Sequence, residues 1–153
     1  GLRWMSPAQA DAQAYIAGLC GELAALGFDE IVLENFTFPV GERTSRINRG
    51  ENYDSARFSA ELEDLLTQVQ TVVEPYGTKI SLRVETQVLE NEPLSGLSVD
   101  LMERFGVRFW TDHTGLLRLS ALPGDIPQRV VEIVPQAEEN RSQFQAVIPT
   151  EEE

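Results

Sequence analysis

The segment at residues 28–39 places the tightest constraint on the fold of this chain. It directly follows a helical pattern that ends at Gly27, and residues 31–33 are consecutive and apolar. Such a short apolar run is typical of a strand covered on both faces, as in a parallel sheet flanked by helices. Strands of this kind present functional groups at their carboxyl ends. Here the strand ends at Glu34 and Asn35.

The helix before this strand is predicted to begin at Ser6-Pro7, a capping residue followed by proline. Its apolar residues recur at spacings of three and four, which predicts one buried face. These residues are Ile16, Leu19, Cys20, Leu23 and Leu26. Further along the chain, we predict helices at residues 54–74 and 97–105, and strands at residues 79–85 and 107–110.

This alternation of helix and strand favours a mostly parallel sheet with right-handed crossovers. We therefore expect a single α/β domain over residues 1–153, with an acidic disordered tail at 150–153. Residues 116–119 are interpreted as a short strand or an edge. Residues 124–134 resemble another capped helix with valines inside, and residues 144–148 have the composition of a last short strand.

The formal net charge of -13 limits the partners of this chain. Nucleic acid and anionic membranes are poor partners for such a surface, because both are bound through clustered lysine and arginine. Carbohydrate, a neutral or cationic ligand, and a basic protein remain compatible with this charge. The chain contains no apolar run long enough to cross a bilayer, and its single cysteine, Cys20, forms no intrachain disulfide.

Each of the three predicted strands ends on a carboxylate: Glu34, Glu85 and Asp112. If the sheet is parallel, these acids lie on one edge and converge there. Paired carboxylates are the residues that glycoside hydrolysis requires, one ionised and the other protonated. We therefore regard the three acids as candidate catalytic residues, without any cofactor.

Other polar and aromatic residues near these strand ends are candidate sugar contacts: Asn35, Arg83, Trp110 and His113. Phe36 and Phe38 are either further aromatic faces for sugar rings or plain core residues. As the only histidine, His113 cannot build a multi-histidine metal site, so no metal is predicted. Metal-dependent hydrolysis by Glu85, Asp112 and His113 is kept as a weaker alternative.

The run from Tyr15 through the helix end at Gly27 to Pro39 resembles a family of bacterial glycoside hydrolases with an α-amylase-like (β/α)8 barrel. The family segment has a helix, Gly-Phe-Asp-Glu-Ile, two residues, and then Asp-Tyr-Ile-Arg-Phe-Pro. Glu34 stands where the family has its strand-end Asp, and Thr37 where it has Arg. The resemblance implies a carbohydrate-active domain with Glu34 as its leading acid. The replaced Asp and Arg favour the alternative, a non-catalytic carbohydrate-binding or assembly module.

Length adds a further expectation, because a complete barrel of this kind takes roughly 200 residues or more. The chain opens on Gly1 rather than Met, and its 153 residues are expected to form about the second half of a barrel. Half a barrel leaves unpaired strand edges and, we expect, an apolar inner face. We therefore predict a homo-oligomer or pairing with the missing half of the parent barrel.

Overall fold

The computed structural model describes residues 5–41, 54–139 and 144–150. Its five strands form one parallel sheet in chain order, which curls into a half barrel with helices on its outer side. The strands are β1 (Glu30–Leu33), β2 (Lys79–Arg83), β3 (Phe109–Thr111), β4 (Val130–Val134) and β5 (Gln145–Val147). The predicted α/β, partial-barrel fold is thus confirmed.

The described residues contain six α-helices: α1 (Ala10–Ala25), α2 (Phe58–Val73), α3 (Thr86–Glu90), α4 (Glu92–Ser95), α5 (Val99–Phe105) and α6 (His113–Leu119). Short 3-10 turns precede and follow α2, at Ser55–Arg57 and Glu74–Tyr76, and a third lies at Ile126–Arg129. Both long helices end before a glycine in the left-handed region, Gly27 and Gly77, as the sequence predicted. No described helix is long and apolar enough to cross a membrane.

The main core lies between the sheet and the helices. Alternate residues of the strands point into it, including Leu33, Leu82 and Phe109, and the inner faces of α2 and α5 cover them. Phe36 belongs to this core, and Phe38 is buried beside Phe58, with 3.8 Å between the two ring centroids. Both rings are therefore core residues rather than sugar platforms.

The predictions beyond residue 115 were wrong in two places. Residues 116–119 lie in α6 rather than in a strand, because the Asp112 side chain caps the helix that begins at His113. The valines assigned to a helix at residues 124–134 instead form β4. The run of four β-branched residues around Glu132 favours a strand, and only the preceding turn at Ile126–Arg129 is helical. The predicted last strand is confirmed as β5.

The apolar pattern of α1 is divided between two sides of the helix. Small residues, among them Ala17, Cys20 and Ala24, are buried on the side that packs toward α2. Burial also raises the pKa of the Cys20 thiol. Ile16 is partly buried against the core, whereas the other large apolar residues lie outside, so the single buried face predicted for this helix was wrong for Leu19, Leu23 and Leu26. We call these exposed residues the outer stripe of α1: Tyr15, Leu19, Leu23 and Leu26.

The concave side of the sheet is mixed rather than apolar as predicted, because Ser81 and Arg83 share it with Val32, Trp110 and Val131. Register pairs Val32 with Ser81 and Arg83 with Trp110. Charged residues occupy the same side at the ends of these strands. Most of the long polar segment predicted at residues 40–52, and residues 151–153 of the acidic tail, lie outside the described residues.

Candidate functional site

Two of the three predicted catalytic acids lie beside the same cleft at the carboxyl edge of the sheet. Glu34 follows β1 and Glu85 follows β2, and both line a cleft of about 30 Å³ together with Asn35 and Arg83. Parallel pairing of β1 with β2 brings the two strand ends together. The cleft has room for about one water molecule or one hydroxyl group.

Arg83 of β2 reaches across to the acid that ends β1. Its Nη1 lies 2.5 Å from Glu34 Oε1, and the Glu34 side chain is 50% exposed. Asn35 completes the turn with a φ of 54°, a left-handed conformation that asparagine adopts more readily than most residues. The ion pair therefore joins the carboxyl ends of two neighbouring strands.

Glu85 is exposed and occupies the capping position before α3, but its side chain makes no capping hydrogen bond. Its backbone carbonyl accepts from the amides of Val88 and Leu89 instead. Within the described residues its carboxylate has no hydrogen-bond or ion-pair partner, and the side chain is exposed.

Asp112 has a different position from the other two acids. Its Oδ1 accepts a hydrogen bond from the Gly115 amide at 2.8 Å, which caps the amino terminus of α6. Asp112 does not line the cleft formed by Glu34 and Glu85. The structure therefore brings together two of the three predicted acids and uses the third to begin a helix.

His113 is the first residue of α6 and faces a buried acid rather than the cleft. Its Nδ1 lies 3.1 Å from Oε1 of Glu132, a β4 residue with no exposed surface. The other carboxylate oxygen of Glu132 has no hydrogen-bond partner in the described structure. Glu132 pairs in register with Thr111, on the helix-covered side of the sheet. The predicted role of His113 in sugar binding remains a prediction.

A polar network around Glu30 organises the concave face. Glu30 Oε1 accepts a hydrogen bond from Ser81 Oγ, and it lies 3.5 Å from Trp110 Nε1 and 3.4 Å from Arg108 Nε. Trp110 is therefore tied to an acid at the opposite end of β1 from Glu34. The pattern of acids at the carboxyl ends of strands did not indicate this network, because Glu30 lies at the start of β1 and Ser81 within β2. Alternation within β1 and β2 was the signal that placed Glu30 and Ser81 on that face.

A second cavity, larger than the cleft at the carboxyl edge, lies at the opposite, amino edge of the sheet. It measures about 320 Å³, and its apolar lining includes Val73, Ile80 and Phe105. Lys79 and Arg104 are among its charged lining residues. Hydrogen bonds to Glu63, and then to Asp100, raise the pKa of Arg104. Nothing in the strand-end pattern pointed to this cavity.

Among the described residues, no group of three or more histidine, cysteine, aspartate or glutamate side chains is arranged to hold a metal ion. The candidate site therefore consists of two accessible carboxylates, one guanidinium and one amide. Such a set donates and accepts hydrogen bonds with neutral hydroxyl groups, and its two acids are of the type that acid–base hydrolysis requires.

Comparison of the chain with family models, curated proteins and solved structures gives no match.

Proposed function

We propose that this chain is a glycoside hydrolase-like, carbohydrate-active domain that acts through Glu34 and Glu85. The observation that carries the proposal is that these two acids, from neighbouring parallel strands, line one open cleft together with Arg83. Paired carboxylates on either side of a glycosidic bond are the common requirement of this chemistry. The sequence resemblance, centred on Glu34, supports the same reaction class.

The contacts of the two acids suggest different roles. Glu34 is paired with Arg83, and we assign it the charged role of nucleophile or general base. Glu85 has no recorded partner in the described part of the chain and becomes the proton donor to the leaving oxygen. Asn35 would bind a sugar hydroxyl beside them. Trp110, which pairs in register with Arg83, offers an aromatic face to a ring lying across the concave side.

Activity measurements on single variants test this proposal. We expect reducing-end release from a panel of oligosaccharides, and a fall in kcat of about 100-fold or more for Glu34→Gln and for Glu85→Gln, with KM little changed, because acid–base groups contribute that much. Glu22→Gln is the matched control, since Glu22 is an exposed acid on α1. Equal rates for all three variants would contradict the assignment.

The alternative is a non-catalytic carbohydrate-binding or assembly module. The feature that favours it is the replacement of the family's strand-end Asp and its Arg by Glu34 and Thr37. Calorimetric titration with the same oligosaccharides distinguishes the two functions. Binding without turnover that is lost in Glu34→Gln supports the module. Absence of both binding and turnover contradicts a carbohydrate function of either kind.

A further inference from the structure

The outer stripe of α1 forms a continuous apolar surface. Successive helical residues are rotated by about 100°, so Tyr15, Leu19 and Leu26 project in nearly the same direction and Leu23 lies beside them. Each of the four is at least 38% exposed, and Leu26 reaches 77%. Phe28, whose amide donates to the Leu23 carbonyl, extends the surface beyond the helix. Single exposed apolar residues are ordinary, whereas a contiguous row marks an interaction site.

A lipid surface is a poor occupant of this stripe, because anionic membranes attract proteins through clustered lysine and arginine, and residues 5–41 contain neither.

The charges around the stripe restrict the partner further. Residues 5–41 contain no lysine, arginine or histidine, and the exposed acids Asp11, Glu22 and Asp29 lie in or next to α1. A second copy would bring the same acids to the interface, and each copy has a net charge of -13. Like charges placed across an interface are unfavourable, whereas opposite charges guide and orient association.

We propose that the outer stripe of α1 is a docking surface for a protein helix that is apolar on one face and flanked by lysine or arginine. The apolar face of the partner covers Leu19 and Leu23, and its basic residues meet Asp11 and Glu22. This surface lies on the outer side of the half barrel and does not depend on the proposed carbohydrate function.

The test uses a labelled amphipathic peptide of leucine and lysine, about 18 residues long so that it forms a helix. Binding is measured by fluorescence anisotropy at about 0.15 M salt, where long-range attraction is screened. The variant Leu19→Gln/Leu23→Gln removes apolar surface without changing charge, and Leu117→Gln, at an exposed leucine of α6, is its control. We expect the double variant to weaken binding about tenfold or more, the control to bind normally, and a leucine–glutamate peptide not to bind.

Three results would overturn the proposal. Equal binding to the double variant would mean that the peptide recognises only the negative charge of the chain. Absence of binding to the unmodified chain would mean that the stripe is not such a site. Light scattering would reveal self-association of the unmodified chain. If the double variant abolished that self-association, the stripe would be the binding surface for a second copy. Thermal denaturation followed by circular dichroism shows whether each variant is folded. If Leu19→Gln/Leu23→Gln is not folded, the double variant Tyr15→Gln/Leu26→Gln is used instead.

Discussion

An acid follows the carboxyl end, or exit, of each of the strands β1, β2 and β3, but the acids after β1 and β2 have a different role from the acid after β3. Glu34 and Glu85 reach an open cleft, whereas Asp112 caps α6. The difference arises from the backbone immediately after each strand. A left-handed turn at Asn35 follows β1, and the helix after β2 begins without a side-chain cap from Glu85. An acid at a strand end is thus a stronger functional candidate when the next helix does not require it.

The largest change in the free energy of unfolding is expected at the exit of β3, where α6 lies close to the strand. A Cβ on Gly115 would lie 1.7 Å from Thr111 Oγ1, which donates to the Val84 carbonyl at 2.7 Å. Gly115→Ala should therefore lower the free energy of unfolding by about 1–3 kcal/mol, as overpacking does. Urea denaturation measures this loss.

Gly18→Ala is the matched control for that experiment. Gly18 lies within α1, and no atom approaches the position of its added Cβ within 4 Å. Alanine is better than glycine in a helix interior by about 1 kcal/mol, so this variant should be more stable than the parent chain. If both alanines stabilise the protein, the close packing inferred at the β3 exit is contradicted.

The next effect tests the capping role of Asp112. Asp112→Ala should lower the free energy of unfolding by about 1 kcal/mol, because the Gly115 amide loses its acceptor. Asp112→Asn should retain most of the stability, since asparagine also caps helices well. Thermal and urea denaturation of both variants give the comparison. If Asp112→Ala were as stable as the parent chain, Asp112 would not be needed to cap α6, and the proposed difference from the acids after β1 and β2 would be contradicted.

The smallest effect is expected at the β1 exit. The ion pair of Glu34 with Arg83 is half exposed, and exposed pairs contribute about 0.2–1 kcal/mol. A double-mutant cycle with Glu34→Gln and Arg83→Gln should give a coupling energy in that range, decreasing at high salt. A coupling above about 2 kcal/mol would indicate that Glu34, like Asp112, mainly serves the fold.

Much of the sheet was predictable because its signals are local. The apolar run at residues 31–33, the alternation after Lys79 and the glycines that end the long helices each identify an element within a few residues. The short helices α3 and α4 were missed because they have only five and four residues, too few to show a helical period. α6 was missed because its leucines at 116, 117 and 119 were interpreted as a short strand or an edge. β4 was assigned to a helix because a capping signal before it was given more weight than its β-branched run.

The sequence by itself determined that helices and strands alternate in this chain, and it placed Glu34, Glu85 and Asp112 at strand ends. Only the tertiary structure decided which acids share a cleft, because that depends on strand pairing and on the helix that succeeds each strand. It also decided which apolar face of α1 is buried. Both faces satisfy the same helical spacing, and the small residues lie against α2 because they allow the helices to approach closely, which leaves most of the larger residues of α1 exposed.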